Sequence, residues 1–310
     1  MNRSKHLQLF VGAIALNAVF ASAGHAYLCD ASKQFCGDKG GYSGGSGGAP
    51  TRGSKIRLTP AVIPLDQSFG GEFLYFDNSV DFAIVKGLGR IGAAISPSNS
   101  EETFFGPPGV EVPADFLTRH QEKHKYPSQK LTLATAFGLL NNKRSGLSRF
   151  EINLGVMGKY NRKTEAANAG GGLSGVAGPF TFGYSLYRDE TDLEMIVTRY
   201  TVETYSIGAF LGPLVLDYSN LRMYNEYETI LTSMVTGTVL LSRVLITASV
   251  RNEHSSRPEY VPATDSLEYN IDKQEVFGGI QYGITRNIML GAFYNYYLMR
   301  EASFGVTIFL

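Results

Sequence analysis

The stretch Phe150-Glu151-Ile152-Asn153-Leu154-Gly155-Val156-Met157-Gly158-Lys159-Tyr160 decides how this chain folds. Phe150, Ile152, Leu154, Val156 and Tyr160 fall on alternate positions, with Glu151, Asn153 and Lys159 between them. A period of two puts successive side chains on opposite faces of a strand, so this segment has one apolar face and one polar one. The pattern recurs at Val80/Phe82/Ile84, Leu131/Leu133/Phe137/Leu139, Phe180/Phe182/Tyr184/Leu186, Tyr205/Ile207/Leu211, Leu214/Leu216/Tyr218, Val244/Ile246/Val250, Val276/Ile280/Tyr282/Ile284, Ile288/Leu290/Tyr294/Tyr296 and Phe304/Val306/Ile308/Leu310. No comparable amphipathic helix runs for three turns. The best helical segment, roughly 114–125, is polar.

The links between these segments sort by parity. Tight links fall at Lys86–Gly89, Asn142–Gly146, Gly178-Pro179, Gly212-Pro213, Leu241–Arg243 and Thr285–Asn287. Longer polar links fall at 97–129, 161–170, 188–200, 222–229 and 252–273. An up-and-down membrane barrel with short periplasmic turns and long outer loops has this alternation, whereas a soluble sandwich has no reason for it. Counting back from Leu310 gives about 14 strands: roughly 69–76, 79–86, 89–96, 130–140, 147–160, 170–177, 180–188, 201–211, 214–222, 230–240, 243–251, 275–284, 288–298 and 302–310. Twelve strands is the competing count. The expected fold is therefore all-β, a closed transmembrane antiparallel β-barrel.

The faces follow from the same alternation. Val, Ile, Leu, Phe and Tyr point outward to lipid. The inward set is small and mildly polar: Thr132, Ala134, Ala136, Gly138, Thr181, Gly183, Ser185, Thr204, Ser206, Gly208, Thr247 and Ser249. Inward charges are few: Asp81, Arg90, Glu151, Lys159, Asp217 and Arg251. Closure removes every strand edge, which hydrocarbon demands of a β structure. Tyr (18) and Phe (19) supply the interfacial girdles in the absence of Trp.

Composition agrees. Charged residues make up 18% of the 310, against about 25% in a typical soluble domain. Lys+Arg and Asp+Glu are both 28, so no basic face invites nucleic acid. An apolar content of 44% argues against disorder. Beyond the N-terminus, no apolar run reaches the roughly 18 residues of a spanning helix.

The N-terminus reads as a secretion address. Arg3 and Lys5 precede an apolar stretch, Leu7 to Ala23, and Gly24-His25-Ala26 offers small residues for cleavage after Ala26. Residues 1–26 are thus a signal peptide. Export to an oxidising compartment makes Cys29 and Cys36 a local disulfide rather than a metal site. A Gly/Ser-rich linker, GDKGGYSGGSGGAPTRGS, covers 37–54, so 27–54 form an N-terminal segment and 55–310 a single barrel domain.

Two resemblances refine this reading. The C-terminal octet Ser303-Phe304-Gly305-Val306-Thr307-Ile308-Phe309-Leu310 resembles the terminal recognition signal of outer-membrane β-barrels inserted by the barrel-assembly machinery; Ser303, Gly305, Ile308 and Leu310 fit it, although Leu310 stands where that family prefers an aromatic. The resemblance implies residence in the outer membrane of a Gram-negative bacterium, with that machinery and membrane lipid as partners. Thr59-Pro60-Ala61, followed by Pro64 and a glycine-led strand, resembles the Asn-Pro-Ala segment of fatty-acid-transporter-like 14-stranded barrels, with Thr in place of Asn. In that group the segment lies inside the barrel near a plug. The alternative is a proline-bracketed segment entering the first strand.

Catalytic and metal chemistry is poorly represented. His120 and His124 share a helical face at i and i+4, but the glutamate is not placed as in a zinc-protease helix, and Arg119 and Lys123 repel a metal. Glu101, Glu102 and Asp115 share that loop, a weak calcium or lipopolysaccharide-bridging set. His254 falls in another outer loop, and no Gly-x-Ser-x-Gly elbow opens a helix. Gly170-Gly171-Gly172 lacks the Lys and helix start of a phosphate loop and reads as a flexible outer loop. No cofactor and no enzymatic activity are expected. The leading function is a porin-like channel for small or apolar solutes. Its sparse inward charge disfavours strong ion selectivity. Segment 97–129 is the best candidate for a constriction or lid, with Glu101, Glu102, Phe104, Phe105, Asp115 and Arg119 as its lumen-side candidates, the alternative being an ordinary outer surface loop. The alternative is a lipid-organising barrel that forms a homo-oligomer through small outward residues such as Ala93, Ala209 and Ala248. An outer-membrane hydrolase is disfavoured.

Overall fold

A computed structural model describes residues 59–63, 69–76, 79–98, 130–142, 149–162, 165–193, 196–226, 229–256, 259–261, 266–268, 271–285, 287–295 and 302–309. Among them are a 3-10 turn, Pro60–Val62, and sixteen strands. These are β1 (Gly70–Phe76), β2 (Ser79–Gly87), β3 (Ile91–Ser98), β4 (Lys130–Asn142), β5 (Phe150–Asn161), β6 (Ala166–Ala177), β7 (Phe180–Leu193), β8 (Ile196–Leu211), β9 (Leu214–Tyr224), β10 (Thr229–Leu241), β11 (Val244–Ser255), β12 (Glu259–Val261), β13 (Ser266–Glu268), β14 (Ile271–Gly283), β15 (Ile288–Asn295) and β16 (Ala302–Phe309). Apart from β12 and β13, which pair with each other, all join one closed antiparallel sheet of 14 strands. The sheet closes where β1 meets β16, from Gly70↔Phe309 to Phe76↔Ser303. Fourteen, not twelve, is the strand number.

Short connections form the rim that faces the periplasm in barrels of this kind. Gly178 and Gly212 open two of them with φ of 59° and 67°, each followed by a proline. A positive φ at the first central residue is what a type II′ hairpin needs, and glycine adopts it without steric cost.

The outer side departs from the sequence reading in several places, always toward more strand. Gly170–Gly172 are not a flexible loop: they lie inside β6, which begins at Ala166 rather than 170. The expected long link 188–200 is two paired strands, running from Phe180↔Ala209 to Leu193↔Ile196. Polar side chains misled the reading, because above the membrane a strand has no reason to keep an apolar face. For the same reason β9 reaches Tyr224, β10 starts at Thr229, and β11 carries His254 on a strand rather than a loop. Arg90, expected inward, sits exposed in the tight link after β2.

The outward face is an apolar belt of exposed side chains, among them Phe73, Leu133, Val156, Phe180, Ile207, Val235, Ile280 and Phe304. On β7 to β11 a polar outward residue marks its upper limit at one level. Arg188, Glu203, Arg222, Ser233 and Asn252 each stand eight positions from the short-turn end of their strands, at Phe180, Leu211, Leu214, Leu241 and Val244 respectively. Eight residues on a tilted strand rise about 20 Å, close to the roughly 25 Å apolar band of an outer-membrane barrel. The molecule is a membrane-spanning β-barrel of the outer-membrane type.

That level predicts how charge is tolerated. Ile207→Arg, in the middle of the belt and 57% exposed, is expected to cost about 2–4 kcal/mol of folding free energy in lipid vesicles. Ser233→Arg, at the boundary, is expected to cost about 0–1 kcal/mol. Denaturant titration of vesicle-inserted protein checks both.

Candidate functional site

The inward face is the surface available to a solute, and its residue types are layered along the barrel axis. One position in from the short-turn ends stand Val176, Val215, Leu245 and Met289, a mainly apolar level that Thr181 on β7 and the half-buried Glu151 on β5 interrupt. Five positions in, the inward residues are Ser185, Ser206, Ser219, Thr236 and Ser249, with Gly155 and Gly172 completing a level of hydroxyls and bare backbone. Seven in are Met157, Tyr187, Thr204, Leu221, Met234 and Arg251. Glu151 apart, all these side chains are buried. The hydroxyls satisfy one another across strands: Ser185 with Thr204, Thr236 with Ser249 at 2.8 Å, and Thr238 with Thr247 at 3.0 Å. The buried hydroxyls of Thr132 and Thr232 have no hydrogen-bond partner in the protein. In a lumen such groups are satisfied by water or by a passing polar solute.

One side of this lumen is occupied. Thr59–Ile63 packs against the inner face of β4, β5 and β6, with Thr59, Pro60, Ala61 and Ile63 buried. Ser174 donates a hydrogen bond to the carbonyl of Ala61 at 2.8 Å, and Thr59 Oγ1 donates to Ser185 Oγ at 3.4 Å. The seat exists because residue 155 is glycine: a β-carbon there would overlap the backbone of Pro60 and Ala61. The segment therefore lies inside the barrel, as its resemblance implied, rather than simply leading into β1. Pro64 lies outside the described residues.

Toward the outer mouth the wall carries a buried ion cluster. Lys130 Nζ donates to Asp189 Oδ1 at 3.0 Å and to the carbonyl of Glu190 at 2.7 Å. Lys159 Nζ donates to Asp189 Oδ2 at 2.9 Å and stands 4.1 Å from the centre of the Tyr187 ring. The three charged side chains are 3–7% exposed. Burying ions is expensive unless each is paired and hydrogen-bonded, and here one carboxylate uses both oxygens to serve two ammoniums.

Of the inward charges expected from sequence, Glu151, Lys159, Asp217 and Arg251 lie on the lumen side, Glu151 with Arg149 at 2.8 Å. Lys130 and Asp189 were missed, because both lay at segment ends beyond the clear apolar alternation. The lid candidates Glu101, Glu102, Phe104, Phe105, Asp115 and Arg119 fall outside the described residues, as do His120, His124, Cys29, Cys36, the signal peptide and Leu310. Ser303, Gly305 and Ile308 lie on β16, Ile308 exposed on the outward face. Ala93 and Ala248 are exposed on that face and Ala209 is half-buried.

No protein-family profile and no curated protein sequence matches the chain. Among solved structures it is similar to the Acinetobacter baumannii outer membrane protein Omp33, at 8% identity over 79% of this chain and 98% of that one, with a TM-score of 0.44. A mutant Rh. blastica porin matches at 11% identity over 79% and 99%, TM-score 0.40. The outer membrane channel DcaP of Acinetobacter baumannii matches at 10% over 79% and 96%, TM-score 0.39. The closed barrel itself is established by the strand pairing of this chain.

The glycine seat gives a direct test. In a background carrying Cys29→Ser, Cys36→Ser and Ala61→Cys, Gly155→Val is expected to expel the segment at a cost of about 1–3 kcal/mol. Labelling of position 61 by a water-soluble thiol reagent should then rise. Gly158→Val, on the outward face of the same strand, should leave labelling unchanged.

Proposed function

We propose that this barrel is a non-catalytic outer-membrane channel for passive passage of small, uncharged or apolar solutes, held closed at rest by the Thr59–Ile63 segment. One observation carries the reading: within a closed barrel, an inner wall made mostly of hydroxyl, alanine, glycine and thioether side chains runs between the two rims, its few charges of mixed sign, and a short inner segment is seated against it. Such a wall offers donors and acceptors without a ladder of one sign of charge, so it favours neutral molecules over ions. Apolar side chains predominate at the short-turn rim, which disfavours a wide water column there and keeps ion leakage low. The lining of β10, from Thr238 through Thr236 and Met234 to Thr232, is buried along its length, consistent with a resting closed form.

The seated segment is held by hydrogen bonds worth about 0.5–1.5 kcal/mol each, and 1.4 kcal/mol is tenfold in an equilibrium. Removing one with Ser174→Ala should therefore raise the open fraction roughly 2- to 12-fold. The measurement is swelling of protein-containing liposomes in neutral solutes of graded size, alongside single-channel current in planar bilayers. Unaltered protein should admit neutral solutes with little ionic current, and Ser174→Ala should raise both. A folded barrel that passes no solute in either form would overturn the channel reading.

A further inference from the structure

β7 leaves the barrel wall. Its ladder with β6 ends at Gly170↔Tyr187, although β6 continues outward to Ala166 in register with Asn161 of β5. On the other side, the ladder between β8 and β9 ends at Thr201↔Tyr224. Beyond these rungs Arg188–Leu193 and Ile196–Tyr200 pair with each other. The direction of departure is fixed by the contacts. Tyr187 overlies Gly170, where a β-carbon would overlap its own, and its ring reaches Lys159 on β5. Two residues on, Asp189 meets Lys159 and also Lys130, which lies on β4, three strands away from β7 in the sheet. The paired arms therefore lean inward over the lumen on the β4–β6 side, where the Asp189 carboxylate binds two buried lysines and Lys130 also holds the Glu190 carbonyl at 2.7 Å.

The geometry points to a carboxylate-exchange site: Lys130 and Lys159 form a two-point anion seat that Asp189 occupies from within the chain, and a small carboxylate solute exchanges with Asp189 and loosens the arms by removing their two side-chain ion pairs. The seat is built for a planar two-oxygen anion, since each lysine takes a different oxygen of the same carboxylate, at 3.0 and 2.9 Å. Both lysines are more than nine-tenths buried, and the Tyr187 ring backs one of them. A bidentate anion meeting two ammoniums away from bulk water gains charge-assisted bonds that chloride, a single-point ion, does not reproduce. The backbone allows the exchange, because above Tyr187 and Thr201 the arms are no longer laddered to β6 and β9. Leaving the seat would expose Asp189 and Glu190 to the aqueous side of the mouth. This goes beyond the channel reading and does not need it: a barrel that conducts nothing could still bind carboxylate here.

Hydrogen exchange read by mass spectrometry on the unaltered, detergent-folded protein tests it. Succinate is expected to raise exchange in Arg188–Leu193 and Ile196–Thr201 severalfold over sodium chloride of equal ionic strength, with the β9–β11 wall unchanged. Asp189→Asn should show the raised exchange without succinate, and Lys130→Gln with Lys159→Gln should abolish the succinate response. If equal-strength chloride loosens the arms as much as succinate does, the effect is screening and the site is overturned. No change with succinate in the unaltered protein overturns it as well, whether or not the variants fold. Liposome swelling run in parallel reports on the channel reading separately.

Discussion

Between Gly70 and Phe309 the two ends of the sheet meet over seven registered pairs, and everything else in the molecule depends on that seam. An exposed row of unpaired N–H and C=O groups costs several kcal/mol per group in hydrocarbon, so a β structure survives there only as a closed ring. The seam also fixes which residues face lipid. It aligns Phe73, which is exposed, with Val306 of β16 and Phe82 of β2, so the outward set is continuous across the closure. Without it neither the apolar belt nor a separate interior would exist.

Once the wall is closed, what lies against its inner surface is governed by side-chain volume, and glycine is the means of making room. Gly155 admits the backbone of Pro60 and Ala61, while Gly170 admits the Tyr187 side chain. These two openings lie on neighbouring strands, so one bare patch of wall receives both an inner segment from the N-terminal side and the departing arm of β7. On the opposite face of β6, Gly175 is covered by the ring of Phe182, which restores the apolar surface that a glycine strand lacks. β6 thus contributes little side-chain packing of its own and acts as a floor for its neighbours.

The barrel and its 14 strands were legible because hydrocarbon imposes alternation: Phe150 to Tyr160, or Phe180 to Leu186, cannot change period without placing a polar group in lipid. That constraint stops at the level of Arg188, Glu203 and Arg222, and so did the legibility. Above it, Asp189, Glu190 and Thr191 continue a strand held by backbone pairing and ion pairs, for which sequence periodicity carries no signal. Gly170–Gly172 misled for a related reason. Glycine runs usually mark loops, but here the missing side chains serve tertiary contacts that are remote in sequence, from Gly170 to Tyr187 and from Gly155 to Ala61. Lys159 was recognisable as inward from its parity, yet its partner Asp189 lies 30 residues away and was not.

The order of layers constrains what can traverse the lumen. A solute entering from the outer mouth first meets Lys130, Lys159 and Asp189, then a level containing Met157, Leu221, Met234 and Arg251, then hydroxyls with Asp217 below them, and finally Val176, Val215, Leu245 and Met289 beside Glu151. A fully charged solute would gain at the first level and at the last would find only the Glu151–Arg149 pair, already satisfied within itself, to replace its hydration. A neutral solute with an apolar body finds dispersion contacts at the second and fourth levels and hydrogen bonds at the third, so its free energy varies less along the path. Passive flux is fastest over a path without deep wells or high barriers. If the barrel is the channel proposed above, this profile favours neutral, partly apolar molecules as its cargo. In that proposal the outermost charges act on the state of the mouth rather than in drawing solute through.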